Sequence, residues 1–369
     1  MKLKKLSFTN HLTGWNVKDV RFGALTLLVG ASGVGKTQIL KSIRALSHIA
    51  SGRSMCGREW NVEFEEGGID YIWSGRFRLL ENRDSEPLFD RPDFIIAEES
   101  LTTTAGHLIF SRNTDELLYN GTPTVRLDPT VSAIELLKEE PDVASVRRAF
   151  SKIIWLDMGE GNQLRIRPGM MNGYETKLTL KEIKALKNRT PIDRLFLIQK
   201  NDRDTFESIK EEFIEIFPLV EDIDFELEHF YNDKFVPLLK IKEHDVDSWI
   251  KLPDISSGMC RTLCQIVTLK LADDGDIILI DEFENGLGIN CIDSLADMAM
   301  EPDVNVQIVM TSHHPYIINS IPFRDWRIVS RKGSDVSVNT AADLNIGEHS
   351  RHDAFMQLIQ TSAYRTGKS

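Results

Sequence analysis

Eight consecutive residues, Gly30-Ala31-Ser32-Gly33-Val34-Gly35-Lys36-Thr37, carry the clearest chemistry in this chain. They fit the pattern G-x-x-x-x-G-K-[ST], in which glycines let the backbone curl so that successive N–H groups point inward at phosphate oxygens. In such a loop Lys36 reaches the β- and γ-phosphates and the Thr37 hydroxyl ligates Mg²⁺. Gly30, Ser32, Gly33, Gly35, Lys36 and Thr37 are therefore the expected phosphate-binding residues for a nucleoside triphosphate.

Before the loop, Leu25-Thr26-Leu27-Leu28-Val29 reads as a buried parallel strand, being mostly apolar without helical spacing. After the loop, Ile39, Leu40, Ile43 and Leu46 recur at three- and four-residue steps, as one face of a helix does. The start of that helix adds its partial positive charge to the phosphate site.

Three further elements lie later in the chain. Ile277-Ile278-Leu279-Ile280-Asp281-Glu282 is an apolar strand ending in two acids. At the carboxyl edge of an α/β sheet Asp281 would hold Mg²⁺, directly or through water, and Glu282 would orient an attacking water and take its proton. Upstream, Ile255-Ser256-Ser257-Gly258-Met259 opens a helix, with Ser256 or Ser257 as its N-cap; a capped start beside a glycine also offers donors to an anion. Thr311-Ser312-His313-His314-Pro315 follows the strand 306–310, where His313 could hydrogen-bond a γ-phosphate.

This order of motifs resembles the ATP-binding-cassette ATPase head. More narrowly, it is similar to the bacterial branch holding the OLD-family (overcoming lysogenization defect) ATPases and the SMC- and RecF-like heads. The resemblance implies a P-loop NTPase of the α/β class: an ABC-ATPase head with an antiparallel β lobe and an inserted helical lobe, using ATP and Mg²⁺. It implies that Ser256-Ser257-Gly258 is the signature contacting ATP bound by the opposite subunit. Glu284-Asn285-Gly286-Leu287 takes the place of the D-loop, and His313 matches the switch histidine. Lys36, Thr37, Asp281, Glu282 and His313 of one chain would then meet Ser257-Gly258 of a second, in a homodimer or higher homo-oligomer. The signature reads I-S-S-G-M rather than L-S-G-G-Q, which suits this branch better than transporters. For the family's loop glutamine, Gln199 after Leu195-Phe196-Leu197-Ile198 is the candidate. Trp15 is either an adenine-stacking aromatic or a core or surface tryptophan.

The implied role is the ATPase subunit of a bacterial anti-phage system, similar to those of Septu, PARIS or abortive-infection pairs, controlling a separate nuclease or toxin. The alternative is a RecF/SMC-like repair or recombination ATPase, which would bind DNA in an ATP- and salt-dependent way. The stretch after His313 has no D-x-D cluster of the kind a TOPRIM nuclease needs, so a nuclease is expected on another polypeptide.

Composition bounds these readings. The chain has 369 residues, 41% hydrophobic and 27% charged, and a net charge of −12. Such a balance opposes a surface dominated by nucleic-acid phosphates; Arg147, Arg148, Lys152, Arg165 and Arg167 form either a local basic groove or solvated faces. No apolar run is long enough to span a bilayer and MKLKKLSF lacks a signal-peptide core, so the expected setting is the cytoplasm without a membrane partner. Cys56, Cys260, Cys264 and Cys291 offer no second pair for zinc and read as ordinary thiols.

The expected organisation is an N-terminal part of the head with the β lobe over 1–130, a helical insert over 131–250, and a C-terminal part of the head over 251–369. Alternating runs between Trp60 and Arg78, at 94–96, 108–110, 117–119 and 153–156 predict antiparallel strands. Helices are predicted over 132–140, with Pro141 ending the first and a second marked by Val143, Val146 and Phe150, and over 178–187 and 203–217. Arg327–Ser330 and Val336–Asn339 predict a hairpin. Ala354, Phe355, Leu358 and Ile359 share a helical face that either packs on the chain's own core or docks a partner.

Overall fold

The structure, a computed structural model, describes residues 1–79, 94–156, 177–229, 235–347 and 350–368. Strands β1 (Lys2–Asn10), β2 (Trp15–Arg21) and β3 (Leu25–Val29) lead into the phosphate loop and helix α1 (Lys36–Ala50). An antiparallel run follows: β4 (Arg58–Glu66), β5 (Ile69–Leu79), β6 (Phe94–Thr103), β7 (Leu108–Arg112), β8 (Leu117–Tyr119) and β9 (Thr122–Pro123). Then come α2 (Ala133–Leu136), α3 (Pro141–Ser151) and β10 (Ile153–Leu156). Pro141 stands at the first turn of α3, where its missing N–H costs no hydrogen bond.

Next are α4 (Leu180–Ala185), α5 (Pro191–Asn201), α6 (Arg203–Ile216), β11 (Val220–His229), β12 (Phe235–Glu243), β13 (Ile250–Lys251) and α7 (Ser257–Lys270). The chain ends in β14 (Ile277–Ile280), α8 (Ile289–Met300), β15 (Gln307–Thr311), α9 (Pro315–Ser320), β16 (Trp326–Lys332), β17 (Asp335–Thr340), α10 (Arg351–Gln360) and α11 (Ser362–Thr366).

The chain forms two compact units, Met1–Trp155 with Gly275–Leu279 and Gln307–Ser369, and Leu156–Asp274 with Ile280–Val306. The expected boundaries at 130 and 250 do not coincide with this division. The sheet draws β15 to β17 back to the N-terminal strands, so the C-terminal portion is shared between the units.

The first unit is organised on a 14-stranded sheet in the order β10-β14-β15-β3-β16-β17-β2-β1-β4-β5-β6-β7-β8-β9. β3 is buried along its whole length, as a strand covered on both faces must be, and pairs in parallel with β15 and β16. β16 and β17 are the predicted hairpin, yet they sit inside the sheet: β17 pairs in parallel with β2 and so joins the parallel core to the antiparallel lobe. β10, expected among the antiparallel strands, lies instead beside β14 at the far edge of the sheet.

Ile39, Leu40, Ile43 and Leu46 of α1 share one core with Leu3, Leu6, Val62, Phe64 and Phe150. Each such side chain is worth about 1.5–3 kcal/mol of burial. Phe150 of α3 stands edge-on to both Phe64 and Trp73, with ring centres 5.0 and 4.9 Å away. Gln307 ties β15 to β1 and the turn before β3: its Oε1 accepts from the Leu3 N–H at 2.8 Å, and its Nε2 donates to the carbonyls of Leu3 and Gly23. In α10, Ala354 and Leu358 are fully buried and the helix lies against α9, so that face packs on the chain's own unit.

The second unit holds helices α4 to α8 and a three-stranded antiparallel sheet, β11-β12-β13. The insert over 131–250 is expected to be helical beyond residue 156, with no strand at 220–251. The sequence Ile223-Asp224-Phe225-Glu226-Leu227 alternates apolar and acidic residues, a strand pattern within a stretch otherwise of helical period. The run 195–198 before Gln199 lies within α5, whose Thr190 caps the N-terminus and whose Pro191 opens the first turn. Arg147 is paired with Glu135 at 2.5 Å, whereas Arg165 and Arg167 lie outside the described residues.

Candidate functional site

In the first unit the register of the central strands decides what surrounds the phosphate loop. Thr311 pairs with Leu28 and Ile328 with Val29, all in parallel, so β3, β15 and β16 end at one edge. Gly30 leaves that edge between the residues that follow β15, Ser312 and His313, and Val329 of β16. Its φ of +149° and the 2.3 Å between an added Cβ and the Val329 carbonyl oxygen leave room for glycine only.

Gly35, at φ +108°, stands at the N-cap of α1 without a side-chain cap, so the first turn of a 15-residue helix faces the loop with its N–H groups. The Lys36 side chain is buried and folds back along the loop, its Nζ donating to the carbonyls of Gly30 and Ala31, each at 2.9 Å. Thr37 is half-buried in the first turn, and Ser32 and Gly33 are exposed. His313 is half-buried, and the buried Ser312 accepts from the His314 N–H at 3.0 Å.

Trp15 is buried behind the loop: its Nε1 lies 3.0 Å from where a Cβ on Gly35 would stand, with Val336 beside it. It is a core tryptophan supporting the loop. A second support has no signature in the sequence. A Cβ on Gly367, just after α11, would fall 2.5 Å from Val34 Cγ1 and 3.3 Å from Ala31 Cβ, and the Gly367 carbonyl accepts from the Arg331 N–H at 2.7 Å.

In the second unit the helix start and the acidic loop come together. Ser256, not Ser257, is the N-cap of α7; its Oγ accepts from the Met259 N–H at 3.2 Å, while Ser257 is exposed in the first turn. Asp281 and Glu282 follow β14 directly. Glu282 has φ +48°, and the other non-glycine residues with positive φ among the described residues are all Asp or Asn, which enter that region most readily. A glutamate there carries strain of about 1–2 kcal/mol that its surroundings must hold.

They do so through the turn. The Asn285 N–H donates to the Glu282 carbonyl at 2.8 Å and Asn285 Nδ2 to the Glu282 carboxylate at 3.1 Å. From α7, Gln265 Nε2 donates to the Phe283 carbonyl at 3.3 Å and an Arg261 guanidinium nitrogen to that of Asn285 at 2.6 Å. Arg261 and Gln265 were not singled out in the sequence; they lie one and two turns beyond Ser257 on the helix. Gln199 stands in the last turn of α5 with its Nε2 donating to Asp224 at 2.9 Å, so it is a helix residue bonded to a strand and not a loop glutamine.

Burial pushes the Cys260 thiol up to about 11 and raises Cys264 further, so these two are inert at neutral pH. Among the described residues no group of His, Cys, Asp and Glu is arranged to hold a metal unaided. A Mg²⁺ held largely by phosphate oxygens and water needs no such group.

Residues 161–319, less than half of the chain, match the family described as "AAA domain, putative AbiEii toxin, Type IV TA system". The matched stretch includes the S-S-G helix start, Asp281-Glu282 and His313, and begins after the phosphate loop. It supports an ATPase-type domain. No curated protein matches the chain. Among solved structures it is similar to an SMC head bound to the C-terminal winged-helix domain of ScpA, with TM-score 0.48 and 13% identity over 92% of this chain and 97% of that one. An SMC head with an extended coiled coil bound to the C-terminal domain of ScpA from Pyrococcus furiosus gives 0.43 and 14%, covering 93% and 98%. The SMC head domain from Thermotoga maritima gives 0.39 and 15%, covering 92% and 99%. No described helix is long and apolar enough to cross a membrane.

Proposed function

We propose that this chain binds and hydrolyses ATP as the ATPase subunit of a bacterial anti-phage defence complex, using nucleotide-driven association of two copies to control a separate nuclease or toxin. The observation that carries the nucleotide chemistry is the phosphate loop, held between β3 and an uncapped α1 with Lys36 and Thr37 in its first turn. Lys36 would leave the Gly30 and Ala31 carbonyls for phosphate oxygens, Thr37 and Asp281 would hold Mg²⁺, and Glu282 would take the proton of the attacking water. His313 would bond the γ-phosphate. Ser257 and Gly258, at the exposed start of α7, would close on the nucleotide of a second copy.

The defence reading draws support from the family description, which names a putative toxin of a toxin–antitoxin system. Phosphate release from the intact chain, beside Glu282→Gln and Lys36→Ala, tests the enzyme. Loss of turnover in both, with ATP still bound by Glu282→Gln, is the expected result. A pull-down of Glu282→Gln from the native host tests the role. A stoichiometric nuclease or toxin supports it, whereas a homodimer that holds DNA only with ATP moves the reading to the RecF/SMC-like alternative.

A further inference from the structure

We propose that Asn285 and Arg261 are positioning residues for Glu282, so that the helix beginning at Ser256-Ser257-Gly258 sets the direction of the carboxylate that activates water. The inference rests on the reading of Glu282 as the proton acceptor.

Three observations converge on it. Glu282 is held at φ +48°, a conformation that its own side chain does not favour. Its carboxylate accepts from Asn285 Nδ2 at 3.1 Å, which fixes the direction of one oxygen. Asn285 is held in turn by Arg261, whose guanidinium donates to the Asn285 carbonyl at 2.6 Å and lies over Gly286, 2.9 Å from where a Cβ would stand. Gln265 adds a second tie, to the Phe283 carbonyl. The connection therefore runs Ser257, Arg261, Asn285, Glu282 within one unit, through a helix turn and two hydrogen bonds.

Its consequence is mechanical. A displacement of the α7 start by a nucleotide seated on Ser257-Gly258 passes to the Asn285 carbonyl, and from its side chain to Glu282.

The test is steady-state phosphate release by the intact chain as wild type, Glu282→Gln, Arg261→Ala, Arg261→Lys, Asn285→Ala and the Arg261→Ala/Asn285→Ala double variant, with kcat and KM separated. Arg261→Ala and Asn285→Ala are each expected to lower kcat about tenfold with KM within about twofold, because a misdirected base slows chemistry without loosening ATP. The double variant is expected to be no slower than the slower single, as for two links in series. Arg261→Lys, which keeps one donor, should recover part of the loss. Unchanged kcat in both single variants while Glu282→Gln is inactive would overturn the positioning alone, as would losses that multiply in the double variant. A Glu282→Gln enzyme with wild-type turnover would overturn the reading beneath it. Should Arg261→Ala fail to fold, the exposed Asn285→Ala carries the comparison.

Discussion

Gly258, in the first turn of α7, and Gly286, in the loop after Glu282, meet backbone to backbone: a Cβ added to Gly258 would lie 2.9 Å from the Gly286 carbonyl oxygen. No flexible side chain is available to yield, so the helix start or the acidic loop must move. Gly258→Ala gains up to about 1 kcal/mol of helix propensity, which offsets part of the clash. Its stability should therefore change by no more than about 2 kcal/mol, while phosphate release falls at least about tenfold because Glu282 rides on the displaced loop. Thermal melting and turnover of the same preparation decide it. A variant with normal turnover would show that the two segments need not touch.

Two glycines of the phosphate loop separate strain from collision. Gly30 and Gly33 both have positive φ, but a Cβ on Gly30 strikes the Val329 carbonyl at 2.3 Å whereas one on Gly33 meets nothing within 4 Å. Gly33→Ala is expected to cost about 1 kcal/mol, the left-handed penalty alone. Gly30→Ala should cost at least about 3 kcal/mol, since backbone of β16 must also give way. Urea unfolding of the two variants measures the difference, and equal costs would contradict the packing of β16 against the loop.

How far the sequence could be read follows from these contacts. The loop, the strand before it, the helix after it and the acids ending β14 were legible because each is a local pattern of residue types with one chemical purpose. The β11-β12-β13 sheet was not, because its alternation is short and lies between strong helical periods. The location of β16 and β17 was not either: a hairpin signal fixes the pairing of its own strands and is silent on which strand they join, here β3 and β2. Arg261 illustrates the same limit at the candidate site. Nothing in its type or spacing marks it until Asn285 is seen beneath it.

Gly367 lies against the phosphate loop from near the other end of the sequence: its φ is +70°, and a Cβ added to it would fall 2.5 Å from Val34 Cγ1 and so wedge against the loop. Gly367→Ala should weaken binding of a fluorescent ATP analogue by about tenfold, because a close-packed loop transmits a displaced valine to its neighbours. Gly333→Ala is the control. That glycine has φ +62° with nothing within 4 Å of an added Cβ, so it bears the same backbone strain without the contact. Equal affinities in the two variants would remove the wedge from the account.

Glu99 gives the pH dependence. It is buried in the antiparallel lobe, where Oε1 is bonded to Trp73 Nε1 at 3.0 Å and Ser132 Oγ at 2.5 Å, and Oε2 accepts from the Ala133 N–H at 2.8 Å. Burial holds its carboxyl above the ordinary value of 4.5, and the three donors and Arg112 offset only part of that rise. A carboxyl raised in the folded state binds its proton there first. Folding therefore gains stability as pH falls from neutral through the raised value toward 4.5, and gains nothing further below it. Glu99→Gln cannot titrate, and its amide sets an N–H against one of the three donors, at a cost of about 1–3 kcal/mol. The gap between wild type and variant should therefore be wider at pH 5 than at pH 8. Urea unfolding of both proteins at the two pH values checks the sign, and a gap that widens toward pH 8 would mean that the donors, not burial, dominate Glu99.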